Sequence, residues 1–354
     1  MIDLSVNITP PILDRRGLDD AWARTREMVT ALPGAGLYDQ NGTEELRALI
    51  VAWLANLGVD AAPDEILLCN GGQQGLQIAL QGCTHRSKLV ASEGAVYSGA
   101  EAAAKYHDLE WALVAHDDQG MLPNALDRVL ANSPCRTVFT VPVCHNPLGF
   151  ETGDERRREI VRVCRRHDAM LIEDDVYGIY AASPRSTYRQ LAPERTWYVN
   201  SFSKSLTPLV RLGLLIPPPD MHSGALQAVR AQIHGAAPVT WAFAAALIAN
   251  GTAAHTAEDL RCEALVRMGL VKRHFPQAAL PMPRGAPHVW LPLAAEPARM
   301  AVDAARSAGV EIMRTGAVTS GGSAVDGLRL SIMTPSSRAE LDLALGRIAA
   351  ILAI

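Results

Sequence analysis

The fold is decided by residues 138–175, which read VFTVPVCHNPLGFETGDERRREIVRVCRRHDAMLIEDD. Two short apolar runs, at residues 138–141 and 169–172, enclose a stretch from Asp154 to His167 that fits a helix. A strand, a helix and a second strand in this order form the repeating unit of a parallel sheet whose two faces are covered by helices. The stretch therefore predicts an α/β fold.

The same alternation extends in both directions along the chain. Helices are predicted at about residues 18–32 and from an N-cap at Thr43 to Gly58, and later at about 338–351. After Pro217-Pro218-Pro219, one long Ala-rich helical stretch is predicted through Trp241 to about Gly269. Further strand candidates are residues 66–69, 88–91, 111–114, 197–199, 212–216, 288–291 and 328–332.

We expect about two domains from a length of 354 residues. The predicted organisation is an N-terminal segment, 1–37, that packs with the small domain, a large domain, 38–245, with a mostly parallel sheet, and a smaller α+β domain, 246–354.

Composition limits the function classes. The net charge of −4 and the absence of a dense basic cluster give no support to a nucleic-acid-binding role. No apolar run reaches the roughly 18 residues that span a bilayer, and the N-terminus does not resemble a signal peptide. The six cysteines show no metal-ligand spacing, so we expect free thiols, no metal site and a cytoplasmic location.

Ligands of such sheets bind beyond the carboxyl ends of the strands, so the residues that follow each apolar run are the site candidates. The Gly-rich turn 70–75 leads into a helix and could bind an anion, although such turns are often only tight connections. Glu173, Asp174 and Asp175 end another run. Because buried acids without a cationic partner are costly, these three are either solvated or directed at a positive charge.

Two further strand ends carry polar groups. Asn146 follows the run 138–141 and precedes Pro147, a pair that is also common in tight turns without a binding role. The run 197–199 is followed by two hydroxyls, a lysine and an arginine, namely Ser201, Ser203, Lys204 and Arg211. Pyridoxal phosphate (PLP) requires a lysine for a Schiff base, an acid at the pyridine nitrogen, donors at the phenolic oxygen and a phosphate-binding cup. The candidates together meet these requirements.

The sequence resembles the class I/II aminotransferases, which are fold type I PLP-dependent enzymes. It is most similar to the branch that includes the aminotransferase-like domain of GntR-type regulators. The motifs that carry the resemblance extend over nearly the whole chain and are Tyr38-Asp39-Gln40-Asn41-Gly42 with Leu46-Arg47, Gly71-Gly72-Gln73-Gln74, Glu93-Gly94-Ala95-Val96-Tyr97, Asn146-Pro147-Leu148-Gly149, Glu173-Asp174-Asp175-Val176-Tyr177, Ser201-Phe202-Ser203-Lys204, Arg211-Leu212-Gly213 and Leu328-Arg329-Leu330-Ser331.

The resemblance implies the site roles. Lys204 forms the Schiff base and then moves the substrate proton, and Asp174 pairs with the ring nitrogen. Asp174 is chosen over Asp175 because its spacing to Tyr177 matches the Asp-x-x-Tyr pattern of the family. The resemblance also implies a catalytic, ring-stacking role for Tyr97 and contacts of Asn146 and Tyr177 with the phenolic oxygen. The implied phosphate-binding residues are Gly72, Gln73, Ser201, Ser203 and Arg211, and Tyr38 would contact the phosphate of the neighbouring subunit. Arg329, with Asn146, would bind the substrate carboxylate.

The implied function is an aminotransferase that moves an amino group from an α-amino acid to a 2-oxo acid in a homodimer with shared active sites. The same site could instead serve a PLP-dependent lyase, cyclase or oxidase of specialised amino-acid metabolism. A non-enzymatic PLP-sensing regulator would require a winged helix-turn-helix, for which the sequence before Tyr38 offers no room.

Several residues keep plainer alternatives or depart from the pattern of the family. Arg329 could be a structural strand arginine, Tyr38 a core tyrosine, and His145 a wall residue without a catalytic role. Leu148 stands where the family usually has Thr. The Gly-rich stretch 314–322 could shape side-chain specificity, and the short N-terminus puts the substrate-gating segment near Asn7 and Ile8 in doubt.

Overall fold

The computed structural model describes residues 1–34, 41–181, 185–277, 285–315 and 325–352. The predicted site residue Tyr38 and most of the Gly-rich stretch 314–322 lie outside these ranges. Within them the predicted α/β class is confirmed, because strands and helices alternate around one mostly parallel sheet.

Every strand predicted from the sequence is present, with ends within two residues of the prediction. The strands of the described ranges are β1 (Ile2–Asp3), β2 (Leu67–Cys69), β3 (Leu89–Glu93), β4 (Glu110–Val114), β5 (His116–Asp117), β6 (Gly120–Met121), β7 (Thr137–Thr140), β8 (Met170–Asp174), β9 (Thr196–Ser201), β10 (Gly213–Ile216), β11 (Val289–Pro292), β12 (Val310–Glu311), β13 (Met313–Thr315) and β14 (Gly327–Leu330).

Helices connect most of these strands and cover the sheet. In the described ranges they are α1 (Arg15–Ala31), α2 (Glu44–Ala55), α3 (Gly72–Cys83), α4 (Ser98–Tyr106), α5 (Pro123–Asn132), α6 (Asp154–Arg166), α7 (Tyr188–Leu191), α8 (Phe202–Ser205), α9 (His222–Ile233), α10 (Pro238–Ala249), α11 (Thr252–His274), α12 (Ala295–Ser307) and α13 (Arg338–Leu352).

The central sheet has the strand order β2-β10-β9-β8-β7-β3-β4 within the described residues. From β9 to β4 all neighbours are parallel, whereas β10 is antiparallel to both β9 and β2. Since β2 and β9 both run opposite to β10, they point the same way. The carboxyl ends of every strand of this sheet except β10 therefore lie along one edge.

Helix α2 shows how local sequence sets an element. The side chain of Thr43 accepts a hydrogen bond from the backbone N–H of Leu46, which confirms the predicted N-cap. Glu44 and Glu45 lie in the first turn, where their charge complements the helix dipole. The four residues that face the core are Leu46, Ile50, Trp53 and Leu54.

The Ala-rich stretch predicted after Pro219 and through Trp241 to about Gly269 is helical, but it forms three helices, α9, α10 and α11, rather than one. Helices α10 and α11 are separated at Gly251, whose φ of +82° lies in the left-handed region that glycine adopts without strain. Helix α10 is buried on nearly all sides and packs against α1 and α2. This burial explains its lack of a polar face, which made the stretch look uniform in the sequence.

The start of the chain reaches the carboxyl edge of the sheet. Strand β1 pairs in parallel with β12, and the backbone of Leu4 bonds to both Glu311 and Ser331. The following residues are thereby directed toward the site. The domain boundaries near residues 38 and 246 stay a prediction.

No single helix in the described ranges is both long enough and apolar enough to cross a bilayer, although the bent pair Pro219–Ile233 and Pro238–Ala249 passes that test when its two parts are joined.

Candidate functional site

A cavity of about 310 Å³ opens at the carboxyl edge of the central sheet. All the site residues that were predicted from the sequence and lie in the described ranges line it. They are Gly72, Gln73, Tyr97, Asn146, Asp174, Tyr177, Ser201, Ser203, Lys204, Arg211 and Arg329. The parallel strands explain this convergence, because Asp174 ends β8, Ser201 ends β9 and Gly72 begins the helix after β2.

Two of the three consecutive acids have cationic partners inside the protein. Glu173 forms a fully buried ion pair with Arg157 at 3.2 Å. Asp175 pairs with Arg185 and accepts a hydrogen bond from the hydroxyl of Tyr198 at 2.8 Å. Both carboxylates are therefore neutralised away from the cavity.

Asp174 lies between them and faces the cavity instead. Its side chain is 5% exposed and accepts a 3.4 Å hydrogen bond from the backbone N–H of Val176. Within the described ranges, no cationic side chain forms an ion pair with it. Burial raises the pKa of Asp174 from 3.8 to about 7. A buried carboxylate without an ion-pair partner is suited to a cationic group of a bound ligand.

Lys204 lies in the short helix α8, directly after β9. Its ammonium group donates a hydrogen bond to the backbone carbonyl of Asn7. Burial lowers the pKa of Lys204 from 10.5 to about 8, and the nearby charges of Arg329 and Arg211 act in the same direction. The lysine is therefore easier to deprotonate than one in solvent, as a nucleophilic amine requires.

The turn before α3 and the end of β9 form a cup with hydrogen-bond donors. Gly71 has a φ of +75° and allows the turn to lie close to the guanidinium of Arg211. A Cβ atom on Gly213 would lie 2.3 Å from the backbone of Gly71, so the close approach of the two strands requires glycine there. The hydroxyl of Ser203 is buried and lacks a hydrogen-bond partner among the described residues. These donors at a helix N-terminus suit a phosphate.

Arg329 and Asn146 are joined across the other side of the cavity. One terminal nitrogen of Arg329 donates to Oδ1 of Asn146 at 2.8 Å, and the other donates to the backbone carbonyl of Ser5. Since Oδ1 is occupied, the amide nitrogen of Asn146 is left for another partner. The Nε atom of Arg329 is buried without a partner in the described part of the chain. The guanidinium thus retains capacity to bind a carboxylate.

Tyr97 closes the cavity beside the helix α3. Its hydroxyl donates to Oε1 of Gln73 at 3.3 Å, while the amide nitrogen of Gln73 donates to the carbonyl of Gly99 at 2.7 Å. Burial raises the pKa of Tyr97, and the charge of Asp174 adds to the effect. The tyrosine therefore stays neutral and offers its ring as a wall of the cavity.

The structure adds site residues that sequence reasoning missed. Ser5, Val6 and Asn7 line the cavity, so the segment that was put in doubt does reach the site. His288 is 1% exposed and bonds to Asn7. No local pattern could have indicated His288, because its partner lies 281 residues away in the sequence.

The available groups fit PLP. The unpartnered acid Asp174 suits a protonated ring nitrogen, and the cup around Ser203 suits the phosphate. Lys204 supplies an amine of lowered pKa in the same cavity. These are the features that the protein must contribute to this cofactor.

The family model described as Aminotransferase class I and II matches residues 1–335. The chain belongs to this family. Its members depend on PLP, so the prediction of this cofactor is confirmed.

Curated relatives include regulators as well as enzymes. The chain is 30% identical over 180 residues to the uncharacterised HTH-type transcriptional regulator YjiR of Escherichia coli, covering 50% of this chain and 38% of that protein. It is 26% identical over 187 residues to aromatic-amino-acid aminotransferase 1 of Thermococcus litoralis, covering 50% and 45%. The chain thus spans less than half the length of these relatives.

Solved structures confirm the fold type I architecture. The chain superposes with a TM-score of 0.86 on LysN, an α-aminoadipate aminotransferase of Thermus thermophilus complexed with N-(5'-phosphopyridoxyl)-L-leucine, at 21% identity and 100% and 92% coverage. The TM-score is 0.84 for a kynurenine aminotransferase of Pyrococcus horikoshii in complex with PMP, at 21% identity and 100% and 91% coverage. At these identities the likeness concerns the fold alone.

Proposed function

We propose that this protein is a PLP-dependent aminotransferase that moves an amino group from an α-amino acid to a 2-oxo acid. The observation that carries the proposal is the meeting of Lys204, Asp174 and Arg329 at one buried cavity. An amine, an unpartnered acid and a guanidinium correspond to the cofactor aldehyde, its ring nitrogen and a substrate carboxylate, respectively.

Each of these residues has a distinct task. PLP, when bound, supplies an electron sink that lets an amino acid release its Cα proton. Asp174 would keep the ring nitrogen protonated, because the pair would compensate a buried carboxylate that forms no ion pair with the described residues. Lys204 would hold the cofactor and move the Cα proton, since a pKa of about 8 lets its amine exchange a proton near neutral pH.

Arg329 would orient the substrate. A bidentate pair between its guanidinium and the α-carboxylate fixes the amino acid in the cavity. Arg329 also donates a hydrogen bond to Asn146, the residue that is expected to contact the phenolic oxygen of the cofactor. The substrate contact and the cofactor contact are thereby linked. Burial lowers the pKa of Arg329, and a carboxylate partner would compensate that burial.

We further propose a homodimer with shared active sites, in which Tyr38 reaches the phosphate bound by the neighbouring subunit. Family membership supports this arrangement, and Tyr38 itself lies outside the described residues. A cytoplasmic location stays a prediction.

The test is a panel of amino donors added to the purified PLP-loaded protein. Conversion of the visible absorbance of the cofactor by an amino acid, with release of the matching 2-oxo acid, is the expected result. A bound cofactor that no amino acid converts would overturn the proposal. It would favour the second candidate, a PLP-binding sensory module, for which the similarity to HTH-type regulators is the supporting observation.

Product analysis separates the remaining alternative. A lyase, cyclase or oxidase using the same site would consume the amino acid without forming the matching 2-oxo acid and aminated cofactor in equal amounts. Mass spectrometry of substrate, product and cofactor after a single turnover distinguishes these reactions from transamination.

A further inference from the structure

A chain of buried hydrogen bonds runs behind the cavity from His145 to Tyr177. Nε2 of His288 lies 3.0 Å from the backbone carbonyl of His145. Nδ1 of the same ring lies 2.9 Å from Nδ2 of Asn7, and this amide nitrogen lies 2.9 Å from the hydroxyl oxygen of Tyr177. None of these contacts is used by the chemistry described so far.

The carbonyl of His145 fixes the tautomer of His288. A carbonyl oxygen can only accept, so Nε2 of the ring must carry the hydrogen. Full burial and the charge of Arg329 lower the pKa of His288 to about 3, so the ring is neutral. A neutral imidazole with hydrogen on Nε2 has an unprotonated Nδ1, which can only accept.

The tautomer in turn fixes the amide of Asn7. An accepting Nδ1 requires the amide nitrogen of Asn7 next to it, since the amide oxygen would face its lone pair. The second hydrogen of that nitrogen then points to the hydroxyl oxygen of Tyr177. In this orientation Oδ1 of Asn7 is buried without a partner among the described residues.

We propose that His288 is a positioning residue that acts through Asn7 to turn the hydroxyl hydrogen of Tyr177 toward the cofactor cavity. Tyr177 accepts from Asn7, so its own hydrogen is left for the cavity that it lines. The proposal rests on the proposed function and on the contact with the phenolic oxygen of PLP that the family resemblance implies for Tyr177.

The same series of hydrogen bonds links the hydroxyl of Tyr177 to the N-terminal segment, residues 5–7, which lies over the cavity. The carbonyl of Asn7 accepts from Lys204, and the carbonyl of Ser5 accepts from Arg329. His288 thus holds in register a segment that contacts the amine, the guanidinium and the phenol of the same cavity. The charged and titratable groups that face His288 are Arg329, His145, Lys204 and Tyr177, whose ring packs edge-on against the imidazole with 5.6 Å between centroids.

The test is a pH titration of the visible absorbance of the PLP-loaded protein. A hydrogen bond donated to the phenolic oxygen draws electron density from the cofactor, so the cofactor releases its proton at a lower pH. Tyr177→Phe should raise the midpoint by about one pH unit, the size of one lost hydrogen bond. His288→Phe should raise it in the same direction by a smaller amount.

A double-mutant cycle isolates the coupling. On the Tyr177→Phe background, His288→Phe should cause no further shift, because the hydroxyl that it orients is gone. His288→Asn retains an acceptor near the position of Nδ1 and should restore the midpoint toward that of the unaltered protein. Asn7→Ala removes the amide that joins His288 to Tyr177. It should reproduce the shift of the midpoint and replaces His288→Phe if that variant does not fold.

The matched control is His274→Phe, a histidine that bonds to Asp342 at the end of α11 and lies outside the cavity. It should leave the midpoint unchanged. A shift on Tyr177→Phe with none on His288→Phe or Asn7→Ala, or shifts that add in the double variant, would overturn the proposal. Absence of any cofactor absorbance in the unaltered protein would instead overturn the proposed function.

Discussion

Replacing Asp174 by Asn should stabilise the cofactor-free protein and weaken its binding of PLP. Burial raises the pKa of Asp174 from 3.8 to about 7. At 1.36 kcal/mol per pKa unit, this rise means that the charged carboxylate destabilises the empty fold by about 4 kcal/mol. Asn has a similar shape and no charge, so the variant lacks this penalty.

The penalty has a defined pH dependence. An acid whose pKa is raised by folding favours the fold while it is protonated. Its contribution is therefore fully present below about pH 3.8 and is lost as the pH rises toward about 7. The stability difference between Asp174→Asn and the unaltered protein should grow from a small value near pH 4 to about 4 kcal/mol at pH 8. Other buried acids are present in both proteins and cancel.

Thermal unfolding of the protein freed of PLP measures the effect. For 354 residues, about 4 kcal/mol corresponds to a rise of about 5 °C in Tm. The affinity for PLP, measured by fluorescence on the same samples, should fall while the Tm rises, because Asn cannot compensate a charged ring nitrogen. An enzyme site commonly trades stability for function in this way.

Asp175→Asn is the matched control at the adjacent position. It removes the partner of the buried Arg185, so it should destabilise the protein by about 3–5 kcal/mol at neutral pH. The reasoning is refuted if Asp174→Asn lowers the Tm of the cofactor-free protein, as Asp175→Asn should. It is also refuted if the Tm of Asp174→Asn depends on pH in the same way as the Tm of the unaltered protein, because Asp174 would then not be an uncompensated buried charge.

Three further results are expected. Lys204→Ala should abolish the visible absorbance of protein-bound PLP and all turnover, and a retained band would place the reactive amine elsewhere. Arg329→Ala should raise KM for α-amino acids by the equivalent of about 2–5 kcal/mol, whereas an unchanged KM would move the carboxylate site. Gly213→Ala should lower both Tm and phosphate affinity, because its Cβ would lie 2.3 Å from the backbone of Gly71, and unaltered values would show that the turn can move freely.

Much of the fold could be predicted because it follows from local patterns. The period of apolar residues sets each strand and helix, and the cap at Thr43 needs only its neighbours. The break at Gly251 was missed because an Ala-rich helix buried on nearly all sides leaves no polar face to show where it ends. Such a boundary depends on what packs around the helix.

The sequence by itself determined which strand-end groups reach the cavity, although not the N-terminal residues Ser5, Val6 and Asn7. Asp174 ends its strand, Ser201 ends the next, and parallel strands bring such ends to one edge. The choice of Asp174 over Asp175 followed from its spacing to Tyr177. Alternation along a strand sends Asp174 to the opposite side from its two neighbours, so this part of the arrangement is local.

Only the tertiary structure decided the state of those groups. Asp174 is uncompensated because Arg157 and Arg185 pair with its neighbours and no cation in the described ranges pairs with it. His288 is tied to Asn7 across 281 residues of sequence, and no local periodicity encodes such a contact. Charge state and hydrogen-bond direction in a buried site depend on every group packed around it, and those groups come from distant parts of the chain.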